Sequence, residues 1–243
     1  MFIIIEYLQT LLNAHPNVGT ECLYLETGKI PLRYSIMQRR LLYLWHILHW
    51  KKTELVVRVY FSQKLTPKRG DWVKSVENNK NQLGIDLSDD KISNISKEMF
   101  KNIVGKKVKT LALTELNNLK EKHSKSGRIQ SKKFQTAQYM VEPSLNKKEQ
   151  QLLFGLRTKT VNLKINFNHR HKDHLCLTCN LLPETQAHVL QCPEIVKHMK
   201  HIIKQDSKWT EDDIYCKLED QIRIVKIYSE VLEIRNKLTE MMN

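Results

Sequence analysis

Residues 176–192 of the chain read Cys176-Leu177-Thr178-Cys179, then His188 and Cys192, a spacing of C-x2-C-x8-H-x3-C. Thiolate sulfur and imidazole nitrogen are ligands with which Zn²⁺ completes a tetrahedron. A tight turn presents both sulfurs of the first pair to one ion. His188 and Cys192 are four residues apart, so we expect them on one face of a short helix with Thr185 as its N-cap. The sequence therefore predicts that Cys176, Cys179, His188 and Cys192 bind Zn²⁺.

Four protein ligands fill the coordination shell, which favours a structural over a catalytic ion, because a catalytic zinc keeps one position open. One alternative is a set of unrelated reduced cysteines. A disulfide is a weaker alternative, since nothing in the sequence indicates secretion. We expect the ion to fold a small knuckle that lacks a core of its own, since zinc binding contributes about 10–16 kcal/mol in zinc-finger peptides.

Charge is the second strong signal. The 243 residues contain 40 Lys and Arg against 26 Asp and Glu, a formal net charge of +14. This excess predicts an acidic partner, most often RNA or DNA, and the alternative is a basic protein that is merely soluble. The apolar start of the chain is too short for a signal peptide, and no window reaches eighteen apolar residues. We therefore expect a soluble intracellular protein, in the nucleus and/or cytoplasm and away from membranes.

The hydrophobic pattern and the low content of Gly and Pro predict a mainly α fold. Three domains are expected: 1–160 as a basic helical body, 161–205 as the zinc knuckle and 206–243 as an amphipathic helix. Alternating apolar residues at 161–167 predict a short strand or an extended segment leading into the knuckle. A Thr210–Asp213 capping box predicts the start of the last helix, running from Glu211 to Met241. The earlier helices are predicted at 31–50, 54–65, 71–83, 96–122, 144–156 and 193–205.

Residues 101–133 are the most basic segment, with ten Lys and Arg against two acids. This local charge of +8 favours a surface for the nucleic-acid backbone, although most charge runs are only solvated helix faces. The candidates for nucleic-acid binding are Arg39, Arg40, Lys106, Lys107, Lys109, Lys125, Arg128, Lys132 and Lys133.

Catalytic motifs are not evident in the sequence. Asp89-Asp90 lie in a predicted polar loop, and Asp212-Asp213 lie in the first turn of a predicted helix, where acids favour the helix dipole. Neither pair has the strand context in which polymerases and nucleases hold magnesium. Phosphate-binding glycine loops and hydrolase motifs do not occur either. We therefore expect no enzyme activity.

Several motifs, in this order, resemble the region that follows the polymerase core in reverse transcriptases of LINE-type (non-LTR) retrotransposons. The resemblance covers most of residues 20–195. The matching motifs are Leu25-Glu26-Thr27-Gly28-x-x-Pro31, Ile36 with Arg39-Arg40-Leu41-Leu42-Tyr43-Leu44, Gly70-Asp71-Trp72, His123-Ser124-Lys125, Leu156-Arg157-Thr158 before Asn166-Phe167, and the cysteine motif with Glu184-Thr185 and Cys192-Pro193.

This resemblance implies a helical thumb and linker that lead to a zinc knuckle contacting template nucleic acid, with Cys176, Cys179, His188 and Cys192 as ligands. The family usually has four residues between its His and last Cys. Here there are three, which changes the helical phase of Cys192 by about 100°. The polymerase motif Phe/Tyr-x-Asp-Asp is missing, so the chain is expected to be a fragment or captured remnant that does not polymerise alone.

Two hypotheses follow for the function. The first is a nucleic-acid-binding fragment with a structural Zn²⁺. The second is a non-catalytic structural or interaction protein, also with structural zinc, that binds a protein partner through its C-terminal helix. An enzymatic role as polymerase or nuclease is a weaker third alternative.

Overall fold

The computed structural model describes residues 2–68, 70–121, 129, 133–167, 173–199, 214–215 and 217–242. Within these residues the chain is mainly helical, as predicted, and has no β-strand. None of their helices is both long and apolar enough to cross a membrane. The α-helices are α1 (Phe2–Leu12), α2 (Thr20–Thr27), α3 (Leu32–His49), α4 (Leu55–Leu65), α5 (Trp72–Leu83), α6 (Asp89–Ser93), α7 (Lys97–Glu121), α8 (Lys147–Arg157), α9 (Gln186–Gln191), α10 (Pro193–His198) and α11 (Leu218–Met242).

The predicted strand at 161–167 is wrong, because residues Lys164–Phe167 form a 3₁₀-helix. The backbone N–H of Leu163 donates to the carbonyl of Val161 (2.7 Å), and the N–H of Asn166 donates to the carbonyl of Leu163 (2.9 Å). The side-chain amide of Asn166 also donates to Val161 O (2.8 Å). These local bonds satisfy the backbone as turns, and an alternating sequence does not distinguish a turn of this kind from a strand.

Two predicted helix starts also differ from the structure. Helix α8 begins three residues after Ser144, at Lys147, because Asn146 and Glu149 form a reciprocal capping box (3.0 and 2.8 Å). The last helix begins at Leu218, and Lys217 before it is not helical, so the predicted unbroken helix from Glu211 to Met241 is wrong. The predicted Thr210–Asp213 capping box lies outside the described residues.

The chain forms two compact units whose limits differ from the three predicted domains. The basic unit comprises Lys29–Asn118 and Lys132–Phe134. The cysteine unit comprises Met1–Gly28, Leu119–Ser131 and Gln135–Asn243. The predicted 1–160 domain is thus divided, because α1 packs on α2 and on α8, far along the chain.

The basic unit has one large apolar cluster in its centre. Helices α3 to α7 all contribute to it, and α3 packs on α4, α5 and α6. In α7 the buried residues recur every four positions from Phe100 to Leu116. This spacing gives a 25-residue helix with one apolar face. The lysines of α7 whose side chains are described are exposed, namely Lys97, Lys101, Lys106, Lys107 and Lys109.

In the cysteine unit, α11 packs on α8, α9 and α10, and α1 packs on α2 and α8. Ile224, Val225, Tyr228 and Val231 of α11 are buried. The apolar stripe of the C-terminal helix therefore belongs to the core of its own unit.

Candidate metal centre and basic surface

The Cys-x-x-Cys turn is held by a short hairpin within the cysteine unit. Leu175 and Pro183 form an isolated antiparallel bridge, and the N–H of Cys176 donates to Leu182 O (2.8 Å). The N–H of Asn180, a residue with φ of 53°, donates back to Cys176 O (2.9 Å). A left-handed Asn is a favoured way to close such a turn. The turn brings the side chains of Cys176 and Cys179 to one side.

His188 and Cys192 come from the following helices. Thr185 is the N-cap of α9, and its hydroxyl accepts the N–H of His188 (3.0 Å), as predicted. The expectation that Cys192 shares a helix face with His188 is wrong. Cys192 is extended (φ −61°, ψ 122°) at the junction of α9 and α10. Because α9 ends at Gln191, the position of Cys192 is not set by the helical phase. The three residues between His188 and Cys192 are therefore compatible with a shared site.

The four ligand atoms of Cys176, Cys179, His188 and Cys192, here called the Cys3His cluster, all lie within 4.8 Å of one another. The sulfurs of Cys176 and Cys192 are 3.8 Å apart, and Cys179 Sγ is 3.3 Å from His188 Nε2. Tetrahedral Zn²⁺ with its usual bond lengths needs separations of about 3.6–3.8 Å. The cluster could therefore hold a metal ion and is compatible with zinc.

The hydroxyl of Thr178 lies between two of the sulfurs, a contact that the sequence analysis did not predict. Its Oγ1 is 3.1 Å from both Cys176 Sγ and Cys192 Sγ, and the residue is buried. A hydroxyl can donate its one proton to a thiolate, and such outer contacts orient metal ligands. The position of Thr178 inside the Cys-x-x-Cys motif is the only signal for this role in the sequence.

Burial and hydrogen bonds set the protonation of the cluster. Burial raises the pKa of Cys176, and hydrogen bonds from Thr178 and the Cys179 amide offset this only in part. Burial also raises the pKa of Cys192, but the Thr178 hydroxyl and the amides of α10 outweigh it, so the net pKa is lowered. Burial lowers the pKa of His188. The neutral imidazole and the Cys192 thiolate, which are the metal-binding forms, are thus favoured.

Glu184 joins the cysteine loop to α11. Its carboxylate accepts two hydrogen bonds from the guanidinium of Arg235 (Nε 2.9 Å, Nη2 3.0 Å) and one from the N–H of Lys164 (2.8 Å). The N–H of Leu177, inside the Cys-x-x-Cys turn, also donates to it (3.3 Å). Glu184 and Arg235 are both buried. This bidentate ion pair fixes the position of the turn relative to the long helix.

The predicted nucleic-acid-binding residues that the structure describes all belong to the basic unit. Arg39, Lys106, Lys109 and Lys133 are exposed. Arg40 is half-buried. With the Asn79 amide oriented so that its nitrogen donates to Ser75 O, its oxygen accepts a hydrogen bond from Arg40 Nη1 (3.2 Å). Lys125, Arg128 and Lys132 lie outside the described residues.

Lys107 is exposed and lies at the C-terminal end of α5. A methyl group built on Gly84, the residue that ends α5, would be 3.8 Å from Lys107 Nζ. A cation in this place is favoured by the dipole of α5. The charge of Lys107 therefore lies where it can interact with the dipole of α5.

The formal charge is divided very unequally between the units. The basic unit contains 20 Lys and Arg against 8 Asp and Glu, or +12, whereas the cysteine unit contains 20 against 18, or +2. Nearly the whole charge of the chain thus belongs to the unit that carries α3 and α7.

Compared with models of protein families, with curated proteins and with solved structures, the chain matches none.

Proposed function

We propose that the chain binds RNA and/or DNA through its basic unit and that the Cys3His cluster holds a structural Zn²⁺ in the other unit. The observation that carries the first part is the +12 charge of the basic unit, with Arg39, Lys106 and Lys109 exposed on α3 and α7. A concentrated positive charge of this size attracts the phosphate backbone by releasing its counterions. The proposal assigns no reaction to the chain.

The zinc assignment rests on the donor set and its burial. Three sulfurs and one imidazole nitrogen are soft or borderline ligands, and all four places of a tetrahedron are taken by protein atoms. When bound, the ion would neutralise thiolates that burial otherwise disfavours. The ion would then hold together the Cys-x-x-Cys turn, α9 and α10, and Glu184 would connect this site to α11.

An origin from a LINE-type reverse transcriptase forms part of the proposal. The resemblance assigns the zinc ligands and the basic helices to a region that contacts template nucleic acid, which agrees with the charge of the basic unit. The alternative, a protein partner on the C-terminal helix, has less support, since Ile224, Val225 and Tyr228 are buried within the cysteine unit.

The test compares lysine substitutions in the two units. Lys106→Ala with Lys109→Ala removes two exposed charges from α7, and Lys226→Ala with Lys237→Ala removes two exposed charges from α11 as the matched control. Affinity for labelled oligouridylate is measured by fluorescence anisotropy over a range of salt. The α7 pair should reduce the salt slope by about 1.4, at about 0.7 for each phosphate that is no longer neutralised.

The α11 pair should leave both affinity and slope close to those of the unsubstituted protein. Equal losses from the two pairs would show that only net charge matters and would contradict a binding surface on the basic unit. A binding surface on the basic unit would also be contradicted if neither pair changed the affinity.

A further inference from the structure

Three aromatic rings cluster at the surface of the basic unit, on α3 and at the start of α5. Tyr43 lies between Trp50 and Trp72, with ring centroids 5.8 and 5.7 Å away and planes inclined at 86° and 87°. In an edge-to-face pair, only one ring has a face covered by the other. Tyr43 is 41% exposed and Trp50 is 43% exposed. The cluster therefore leaves aromatic surface available to a further flat partner.

The cluster stands on a rigid base. Trp72 also contacts Tyr60 (6.1 Å, 74°), which is buried and donates its hydroxyl proton to Asp89 (2.7 Å). Lys64 pairs with the same carboxylate oxygen. The aromatic surface is thus held in place before any partner arrives, which lowers the entropic cost of binding.

A comparison with Trp45 distinguishes the exposed indole of Trp50, whereas Trp72 is half-buried against the apolar cluster. Trp45 lies on the same helix as Tyr43, and its indole N–H donates to Ile95 O (2.9 Å). Among the residues that the structure describes, neither Trp50 nor Trp72 uses its indole N–H in a hydrogen bond. Trp45 therefore has a structural hydrogen-bond partner, whereas the exposed Trp50 has none among the described residues.

The segment of the sequence that carries the cluster is strongly basic. Residues 39–74 contain nine Lys and Arg and two acids, Glu54 and Asp71. Lys51 and Lys52 follow Trp50 directly, and Lys74 lies two residues after Trp72; all three are exposed. Aromatic faces among exposed cations are the combination that proteins use for unpaired nucleic-acid strands, where bases stack on rings and lysines contact phosphates.

We propose that Tyr43, Trp50 and Trp72 form a stacking platform for the bases of single-stranded nucleic acid, with Lys51 and Lys52 contacting the adjoining phosphates. The proposal rests on the nucleic-acid binding proposed above and specifies its substrate as an unpaired strand. A duplex is disfavoured at this surface, because its bases stack on each other and hide their faces.

The experiment uses Trp50→Leu, which keeps an apolar side chain without a ring, and Trp50→Phe, which keeps a ring. Leu65→Ala is the control, since Leu65 is an 83% exposed apolar residue of the same unit. Affinity is measured for labelled oligouridylate and for an RNA duplex of equal length. Trp50→Leu should weaken single-strand binding about 5- to 100-fold, the range expected for losing one stacked base, and should change duplex binding little.

Trp50→Phe should retain most of the affinity, and Leu65→Ala all of it. Intrinsic tryptophan fluorescence supplies a second measurement of binding, which uses the unsubstituted protein and the conservative variant Trp50→Phe. Oligouridylate should quench the emission of the unsubstituted protein, and the quenching should be smaller in Trp50→Phe, which lacks one of the four tryptophans. Circular dichroism of each variant checks that it is folded.

Each contrary outcome has a separate meaning. Unchanged single-strand affinity and quenching in both Trp50 variants, with salt-dependent binding retained, would overturn the platform and leave the proposed function standing. Equal losses on single strand and duplex would also overturn stacking. If Trp50→Leu instead abolished self-association without changing RNA affinity, the surface would be a protein contact. Failure of the unsubstituted protein to bind either RNA at low salt would overturn both proposals.

Discussion

The basic unit and the cysteine unit differ in what is buried inside them. The basic unit buries a continuous apolar cluster and, among its described residues, only Asn79 and Lys80 as polar side chains. The cysteine unit buries many more polar groups, together with the Cys3His cluster. These buried polar residues are Glu21, Glu26, Thr27, Thr158, Asn166, Thr178, Glu184, Gln186 and Arg235.

The formal charges differ in the opposite sense, at +12 for the basic unit and +2 for the cysteine unit. A unit stabilised by apolar contacts can carry many like charges on its surface, because its buried core offsets their mutual repulsion. A unit stabilised by specific polar partners depends on the geometry of each pair. This difference supports the proposal that nucleic-acid binding belongs to the basic unit and metal-dependent folding to the cysteine unit.

Metal removal should separate the two units most clearly. Chelation of zinc should expose the backbone amides of residues 174–192 to hydrogen exchange and lower the stability of the cysteine unit strongly, since structural zinc contributes about 10 kcal/mol or more in small domains. Protection of α3 and α7 should change little. Cys179→Ser should reproduce the effect. Equal loss of protection in both units would contradict the distinction between them.

The Glu184–Arg235 ion pair gives the next largest effect. Glu184→Gln leaves the Arg235 guanidinium buried without its charge partner, so the free energy of unfolding should fall by about 3–5 kcal/mol. Changing Arg235→Met in the same chain should recover part of the loss. Urea unfolding followed by circular dichroism measures both. A loss near zero would mean that the metal alone positions the Cys-x-x-Cys turn.

Two glycines that end helices offer a smaller, matched comparison. Gly28 follows α2 with φ of 66°, and Gly84 follows α5 with φ of 58°. A methyl group on Gly28 would lie against the backbone of Gln135 and Thr136, whereas the nearest atom to one on Gly84 is Lys107 Nζ at 3.8 Å. Both substitutions to Ala incur the left-handed cost of about 1–2 kcal/mol, and Gly28→Ala adds a backbone clash.

Gly28→Ala should therefore lower the melting temperature by several degrees more than Gly84→Ala. Equal shifts would mean that the backbone around Gln135 can move without cost, which would contradict the expected clash.

Short sequence patterns predicted the features that depend on neighbouring residues. The apolar spacing of α3, α4, α5 and α7 predicted those helices closely, and the ligand spacing predicted four side chains that the fold brings together. Thr185 as an N-cap is also visible in the sequence. Such features depend on neighbours within one or two turns, so the sequence contains their cause.

Features that depend on distant residues could not be predicted in this way. Glu184 and Arg235 are 51 positions apart, so nothing in either neighbourhood indicates that they pair. The grouping of α1 and α2 with α8 likewise follows from tertiary packing. The division of charge becomes visible only when the limits of the units are known, because the cationic residues are spread along much of the chain.

The salt dependence of binding to oligouridylate by the zinc-loaded protein tests the central claim most directly. The logarithm of the association constant should fall linearly with the logarithm of salt concentration, at about 0.7 for each phosphate neutralised, and a slope corresponding to several phosphates is expected. A flat dependence, or no binding at low salt, would contradict the assignment of nucleic-acid binding to the basic unit.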